Sequence, residues 1–323
     1  MSNPKAVLIT GGAGFIGSHL AEKLVALGDK VFVLDDLSTG SMDNIRHLMP
    51  NKSFVFKKGS VLNRPLARKM TEGMDEVYHL AAAVGVQVIM DKPLDSLILN
   101  TQGTEIMLDA VEGRKIPIML ISTSEIYGKN TKLPFSEEDD RVYGSAYNYR
   151  WGYAFSKGID EFLGLAYFRE KGVPVRIVRL FNVIGPRQTG EYGMVAPRFV
   201  RQALAGEPLA VHGTGRQTRS FADVDDVAGA LIKIMRHSKS AGKIYNLGSD
   251  EEISINNLAK KILKLTGSSS KVLYIPHDKV YSNGFEDMQR RRPDISKVKE
   301  LINYNPKHSL DSTLKRIIAH ESA

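Results

Sequence analysis

A glycine-rich loop near the start of the chain constrains the fold more than any other feature of the sequence. Residues 6–10 form a short apolar run that predicts a strand, and residues 18–27 have the apolar spacing of a helix. Between them, Gly11, Gly14 and Gly17 stand in a G-x-x-G-x-x-G arrangement. Glycines at a strand-to-helix turn let backbone N–H groups approach a pyrophosphate closely, and the helix N-terminus adds partial positive charge. This region therefore predicts a dinucleotide-binding turn.

An acidic residue supports the same interpretation. A second apolar run, residues 30–34, ends in Asp35, about 20 residues after the glycine loop. A carboxylate at this place accepts hydrogen bonds from an adenosine ribose and repels a 2′-phosphate, which favours NAD as the cofactor. The alternative is a tight strand-to-helix turn followed by an unrelated surface aspartate.

The remaining apolar runs follow a strand–helix alternation. Strand-like runs lie at residues 54–56, 76–80, 116–121 and 173–180, with a helical piece at residues 97–111. This alternation predicts an α/β fold with a Rossmann-type doubly wound parallel sheet, whose ligands bind at the carboxyl ends of the strands. We expect a Rossmann domain over residues 1–180, to which segments of about residues 220–250 return, and a smaller C-terminal lobe over residues 181–323.

Tyr153 and Lys157 stand four residues apart in a segment with helical character. On a helix, such side chains leave the same face one turn apart. A neighbouring ammonium favours the phenolate, so a tyrosine with an ordinary pKa of about 10 becomes a usable base. The alternative is a half-buried aromatic residue and a solvated amine on an amphipathic helix.

Composition excludes several other kinds of protein. The chain has no cysteine, so thiolate chemistry and cysteine-ligated metals are excluded, and its eight histidines show no metal-ligand spacing. The net charge is +8, but the basic residues are spread along the chain, and we expect no nucleic-acid partner. The sequence shows no signal peptide, and no apolar run approaches the roughly 18 residues of a membrane span. We expect a soluble cytoplasmic protein with no membrane partner.

Taken together, the motifs resemble those of the extended short-chain dehydrogenase/reductases, in the branch of nucleotide-sugar epimerases, dehydratases and decarboxylases. The resemblance extends over essentially the whole length. The matching positions are the Gly11 to Gly17 loop, Asp35, His79-Leu80-Ala81-Ala82, Thr123 with Tyr127-Gly128, Tyr153 with Lys157, Leu180-Phe181-Asn182 and Gly185-Pro186-Arg187.

The resemblance implies an oxidation at C4 of the sugar part of a UDP-sugar by a tightly held NAD. Tyr153 would remove the 4-hydroxyl proton, Lys157 would hold the nicotinamide ribose and keep Tyr153 acidic, and Thr123 would bond the same hydroxyl. The positions expected to contact NAD are Gly11, Gly14, Phe15, Ile16, Gly17, Asp35, Ser60, Val61, Leu80, Ala81, Ala82, Tyr153 and Lys157. The positions expected to contact the substrate, mainly in the C-terminal lobe, are Ser124, Asn182, Arg187, Arg219 and Arg291. Ser60 replaces the aspartate that many relatives place near adenine.

Two residues bear on the reaction that follows oxidation. Glu125 stands in a Thr-Ser-Glu segment that resembles those of UDP-glucuronate decarboxylases and GDP-mannose-type 4,6-dehydratases. Arg291, within residues 289–295, resembles an arginine assigned to C5 protonation in UDP-glucuronate decarboxylases. Chemistry at C5 or C6 needs a second acid/base group beyond the tyrosine. The alternatives are an exposed or amide-capping role for Glu125 and a diphosphate-binding or solvent-exposed Arg291.

The leading hypothesis is a UDP-glucuronate decarboxylase. A UDP-glucose or UDP-glucuronate 4-epimerase is the first alternative, because the loop at residues 188–195 resembles epimerase sequences. A 4,6-dehydratase and a non-catalytic NAD-binding regulator are further alternatives. The apolar faces predicted for residues 97–111 and 151–171 predict a homodimer.

Overall fold

A seven-stranded parallel sheet forms the centre of the molecule. The computed structural model describes residues 3–84, 91–190, 194–276, 279–280 and 288–322. The strands are β1 Ala6–Thr10, β2 Lys30–Asp35, β3 Phe54–Lys58, β4 Glu76–His79, β5 Ile118–Thr123, β6 Val175–Leu180, β7 Val183–Ile184, β8 Leu209–His212, β9 Thr218–Ser220, β10 Ala222–Asp223, β11 Lys243–Leu247, β12 Glu252–Ser254 and β13 Val272–Ile275. The central sheet has the order β11-β6-β5-β4-β1-β2-β3, so its direction of progression reverses between β1 and β4.

Helices follow the strands in the alternation that the sequence predicts. They are α1 Phe15–Ala26, α2 Arg64–Met70, α3 Pro93–Glu112, α4 Arg150–Lys171, α5 Val195–Leu204, α6 Val224–Arg236, α7 Ile255–Thr266, α8 Ser296–Ile302 and α9 Leu310–Glu321. The side chains of Asn63, Asp223, Ser254 and Ser309 accept hydrogen bonds from first-turn amides of α2, α6, α7 and α9. These caps satisfy backbone donors that have no partner within a helix.

Hydrophobic cores cover both faces of the central sheet. On one face, α1, α6 and α8 pack against the sheet through residues such as Leu24, Leu231 and Val298. On the other face, α2 and α3 pack through residues such as Ala67 and Met107, joined by apolar residues of α4. Burial on both faces explains the continuous apolar runs of the strands. The α/β doubly wound fold predicted from the sequence is confirmed.

A separate apolar core organises the C-terminal part of the chain. Residues of α5, α7 and α9 form it, including Phe199, Leu258 and Leu314. Late segments also return to the central sheet, since β11 pairs in parallel with β6 and α6 packs on α1. The domain boundary at residue 180 stays a prediction. In the described part of the chain, none of the helices combines the length and the apolar character that crossing a bilayer requires.

Candidate active site

A cavity of about 710 Å³ lies at the carboxyl ends of the central strands. Residues following β1, β2, β4, β5 and β6 line it, which is where a doubly wound sheet binds ligands. All the predicted site residues except Lys157 are among its described lining residues. The fold thus gathers side chains from both halves of the sequence around one space.

The glycine loop forms a tight cradle on one side of this cavity. Gly11 has a φ of 72°, a left-handed conformation, and a Cβ placed there would lie 2.7 Å from the backbone nitrogen of Ala81. A Cβ on Gly17 would collide with the carbonyl oxygen of Gly11. Only glycines therefore allow the loop to pass so close to β4 and to the first turn of α1. The resulting cradle suits the phosphates of a dinucleotide.

Asp35 lines the cavity at the end of β2 and also holds the glycine loop. Its Oδ2 accepts a hydrogen bond from the Ala13 amide at 2.9 Å, and its Oδ1 accepts one from the Leu37 amide at 2.8 Å. Burial raises the pKa of Asp35, and these two backbone bonds oppose that rise. Each carboxylate oxygen can accept further hydrogen bonds, so the arrangement fits the predicted contact with a ribose. Ser60 and Val61 line the neighbouring wall.

Tyr153 lies half-buried in the first turns of α4 and forms a hydrogen bond with the side chain of Thr123 at the end of β5. Burial raises the pKa of Tyr153 above its ordinary value, and the negative charge of Glu125 raises it further. The bond from Thr123 and the charge of Arg291 act in the opposite direction. The predicted base and its hydroxyl partner are therefore brought together.

Lys157 departs from the expected arrangement. Its Nζ donates a hydrogen bond to Asp160 Oδ2 at 2.7 Å, and the two side chains are only 4% and 2% exposed. A buried ammonium needs a counter-ion, and Asp160 supplies one from the next turn of α4. The described ion pair of Lys157 is therefore with Asp160, and the predicted effect of Lys157 on the pKa of Tyr153 stays a prediction.

Glu125 lies between two arginines. Its Oε2 is 3.0 Å from Arg150 Nη2, and its Oε1 accepts a hydrogen bond from Arg291 Nη1. Burial alone would raise the pKa of Glu125, but the charges of Arg150 and Arg291 dominate and lower it to about 2. The Glu125 side chain is only 17% exposed, so it is not a surface acid. Its carboxylate binds the two arginines, and the hydrogen bond that caps this short turn comes from Thr123, whose Oγ1 accepts a hydrogen bond from the Glu125 amide. Glu125 is ionised at neutral pH.

Arg150 is a residue of this site that the sequence did not indicate. Its side chain is 6% exposed and lines the cavity next to Glu125. It stands three residues before Tyr153 and seven before Lys157, so all three lie on one face of α4. That spacing was the available signal, because an arginine at a helix start otherwise indicates a solvated surface position.

The segment that carries Arg291 is fixed by β9 and its neighbours. Arg219 Nη1 donates to the carbonyl oxygen of Met288 at 2.8 Å, and Thr218 donates its amide to the carbonyl of Gln289 at 3.0 Å. Arg291 Nη2 in turn donates to Asn182 Oδ1, so the predicted substrate-binding residues Asn182, Arg219 and Arg291 form one connected group.

Arg187 lines the cavity, but its guanidinium contacts the protein. Arg187 Nη2 donates to Glu22 Oε2 at 2.6 Å, and Nη1 donates to the Asn44 carbonyl at 3.0 Å. These bonds tie α1 to the loop that follows β7. The described contacts of Arg187 are thus with the protein itself, and its predicted contact with substrate stays a prediction.

Comparison with known proteins agrees with this geometry. Residues 7–248 match the NAD dependent epimerase/dehydratase family. The chain is 44% identical over 315 residues to UDP-N-acetyl-alpha-D-glucosaminuronate decarboxylase of Bacillus cytotoxicus, covering 97% of each. It is 36% identical to UDP-glucuronic acid decarboxylase 1 of Xenopus tropicalis, covering 97% of this chain and 71% of that protein.

Solved structures show the same overall arrangement. UDP-glucuronic acid 4-epimerase from Bacillus cereus, in complex with UDP-glucuronic acid and NAD, superimposes with a TM-score of 0.89 at 29% identity, covering 98% of this chain and 99% of that chain. The family is NAD-dependent, which confirms the cofactor and the enzymatic character expected from the sequence. The matched region covers most of the chain and includes the glycine loop, Thr123 and Tyr153, so the chain belongs to the NAD dependent epimerase/dehydratase family.

Proposed function

We propose that this chain is a cytoplasmic, NAD-dependent decarboxylase of a UDP-hexuronate. The observation that carries the proposal is the contact between Glu125 and Arg291 inside the cavity, beside Tyr153 and Thr123. Oxidation and reduction at C4 need only the Tyr153 and Thr123 pair. Decarboxylation also needs a proton donor at C5, and the charged pair of Glu125 and Arg291 lies where such a donor is needed.

The residues of the cavity fit NAD. The cradle of Gly11, Gly14 and Gly17 would hold the pyrophosphate, and Asp35 would accept bonds from the adenosine ribose. When bound, NAD supplies an acceptor for the hydride of C4 and later returns it. Lys157 and Tyr153 would border the nicotinamide end, as the family resemblance implies.

The chain's own residues handle the protons and the charge. Tyr153 would take the proton of the 4-hydroxyl while the hydride of C4 leaves for the bound NAD, and the loss of both makes C4 a ketone β to the C6 carboxylate. The C5–C6 bond then breaks, carbon dioxide leaves, and the bonding electrons move onto O4, where Thr123 and protonated Tyr153 stabilise the developing negative charge. C5 takes up one proton, whose delivery we assign to Arg291, and Arg291 regains a proton from solvent. Tyr153 finally returns a proton to O4.

The arginines around Glu125 favour a carboxylated sugar. Arg150 and Arg291 bring two positive charges against the one negative charge of Glu125. The surplus positive charge matches the carboxylate of a uronate ring and has no counterpart in the uncharged hexose ring of a UDP-hexose.

Relatives that are named as decarboxylases favour decarboxylation over epimerisation as the function of this chain. The relative at 44% identity is named for a 2-acetamido uronate, and the relative at 36% identity for UDP-glucuronic acid. We propose UDP-N-acetylglucosaminuronate as the preferred substrate and UDP-glucuronate as a poorer one.

Incubation of the purified protein with NAD and each UDP-uronate tests the proposal. We expect release of carbon dioxide and formation of the matching UDP-pentose, with the 2-acetamido substrate used faster. The Tyr153→Phe variant is the control and should form neither product. Formation of the 4-epimer without carbon dioxide would overturn decarboxylation.

A 4-epimerase is the second candidate, favoured by the 0.89 TM-score of the Bacillus cereus epimerase and by the loop at residues 188–195. Residues 191–193 of that loop lie outside the described residues. An epimerase needs Tyr153 and Thr123 but not Glu125. Retention of full turnover by Glu125→Gln would therefore favour epimerisation.

We also propose that two copies of the chain associate through α3 and α4. Apolar side chains on these adjacent helices are exposed, including Leu94 at 67%, Phe162 at 69% and Phe155 at 55%. Association with a second copy would remove this apolar face from water, and a self-complementary helix pair forms a two-fold interface.

Phe162→Arg should convert a dimer into a monomer in light scattering after gel filtration. The matched change Leu273→Arg, at a residue 52% exposed on β13, should leave the dimer intact. A monomeric unaltered protein would contradict the proposal.

A further inference from the structure

Asp160 occupies a place that neither the sequence motifs nor the proposed chemistry accounts for. It lies on α4, three residues after Lys157, with a side chain only 2% exposed. Its Oδ2 accepts a hydrogen bond from the Lys157 ammonium at 2.7 Å. An aspartate is rarely buried so fully unless it is paired, so the pair forms one unit.

Other groups around this pair do not replace Asp160 as the counter-ion. His79, on β4, faces Lys157, but burial and then the charge of Lys157 lower the pKa of His79 to about 3, so it is neutral. Thr104, on α3, forms a hydrogen bond with the Asp160 carboxylate and lies 3.4 Å from His79 Nε2. Glu161, the next residue of α4, instead binds the buried guanidinium of Arg179.

The pair acts on Tyr153 through its charges. Tyr153 lies one turn before Lys157 on the same face of α4, and the negative charges of Glu125 and Asp160 raise its pKa while the positive charge of Arg291 lowers it. A lysine whose charge is offset by a carboxylate at 2.7 Å attracts a phenolate less than a free ammonium does. Asp160 thus weakens the effect usually assigned to the lysine.

We propose that Asp160 is a positioning residue of the reaction centre, which fixes the Lys157 ammonium within α4 and offsets its positive charge at Tyr153. The proposal rests on Tyr153 being the base of the proposed function, but not on decarboxylation. Because Asp160 has a negative charge, its removal should ease ionisation of Tyr153. The proton-transfer step would then operate at lower pH.

The test measures ionisation of Tyr153 in the NAD-loaded protein. Near-ultraviolet absorbance of tyrosinate is followed against pH, and the curve of each protein is corrected with that of its Tyr153→Phe counterpart. In Asp160→Asn, we expect the Tyr153 titration to move to lower pH by about one unit. The acid limb of kcat/KM for the UDP-uronate should move in the same direction.

Matched variants separate charge from structure. Asp160→Glu keeps the charge and should restore the titration toward that of the unaltered protein. Glu170→Gln makes the same chemical change at an exposed carboxylate of α4 and should leave the titration unchanged. Asp160→Ser provides the same measurement if the asparagine variant does not fold.

Two failures are distinguishable. If the unaltered protein decarboxylates no UDP-uronate, the proposed function fails, and the absorbance titration still decides the role of Asp160. If Tyr153 titrates in the folded Asp160 variants as it does in the unaltered protein, or at higher pH, the role of Asp160 is overturned.

Discussion

Glu125 keeps its negative charge in a cavity that otherwise favours anions. The two arginines that contact it lower its pKa to about 2, against an ordinary value of 4.5. A carboxyl group with a lowered pKa adds stability above its unfolded value, and that contribution is lost as pH falls through the folded value. The contribution is therefore complete at neutral pH, and Glu125 does not titrate in the range of ordinary assays.

This charge state leads to a prediction for Glu125→Gln. The variant removes the carboxylate that holds the Arg291 guanidinium in the cavity, and C5 protonation is assigned to Arg291, so we expect kcat for decarboxylation to fall by about 10² or more. Glu125 adds no limb of its own to the pH profile of kcat/KM, because it is ionised throughout, but removal of its negative charge should lower the pKa of Tyr153 and move the Tyr153 limb to lower pH. Steady-state kinetics over pH check both statements.

Glu138→Gln is the control for this variant, since the Glu138 side chain is 88% exposed. It should leave kcat and the pH profile unchanged. An acid limb near neutrality that disappears in Glu125→Gln would show that Glu125 titrates there and would contradict the prediction.

The sequence indicated many residues that line the cavity but not all of the partners that these residues contact. Glu125 and Arg291 are 166 residues apart, yet a family motif identified each of them. Arg150 and Asp160 were missed because a charged residue on an amphipathic helix usually faces water. Only the packing of α4 against β5, α3 and the Arg291 segment removes these side chains from solvent.

At the scale of elements, a buried ion pair joins α4 to β6. Arg179, the last but one residue of β6, donates from Nε and Nη2 to the two carboxylate oxygens of Glu161 at 2.9 and 2.8 Å. Ser122 of β5 donates to the same carboxylate at 2.5 Å. The apolar run at residues 173–180 predicts the strand, but its pattern does not show where a buried arginine finds its counter-ion. That partner comes from a helix whose docking the pattern does not specify.

Glu161→Gln should therefore destabilise the whole domain. The variant leaves the guanidinium of Arg179 buried without a full counter-charge, and breaking a buried pair in this way costs about 3–5 kcal/mol. Urea unfolding at neutral pH measures the free energy of unfolding. Glu170→Gln, on the exposed part of the same helix, should change it by less than about 0.5 kcal/mol. A loss of similar size in both variants would contradict a specific role for the pair.

At the scale of the molecule, the cavity lies between the central sheet and the C-terminal core. The strand–helix alternation of the sequence predicted the central sheet, because the strands of a parallel sheet are buried on both faces and form continuous apolar runs. The second part has two-stranded sheets of short strands, such as β9 with β12 and β8 with β13, and their pairing depends on contacts distant in sequence. Sequence patterns at this length do not specify such pairings.

Arg187 connects these two parts, and this leads to a prediction about coupling. Its guanidinium joins Glu22 of α1, near the glycine loop, to the chain that enters the C-terminal part. If the Arg187–Glu22 contact positions both the glycine-loop side and the C-terminal side of the cavity, bound NAD should raise the affinity for UDP and bound UDP the affinity for NAD, typically by about 1–3 kcal/mol. Arg187→Gln should remove most of this mutual effect while each ligand still binds alone.

Calorimetric titration of NAD with and without saturating UDP measures the coupling. Glu22→Gln breaks the same contact from the other side and should give the same loss, because the effect belongs to the pair. Arg169→Gln, at an arginine 79% exposed on α4, should leave the coupling intact. If Arg187→Gln instead weakens UDP binding equally with and without NAD, and Glu22→Gln does not, then Arg187 binds the diphosphate directly. That result would restore the substrate contact expected from the sequence, and the connection between the two parts would have to lie elsewhere.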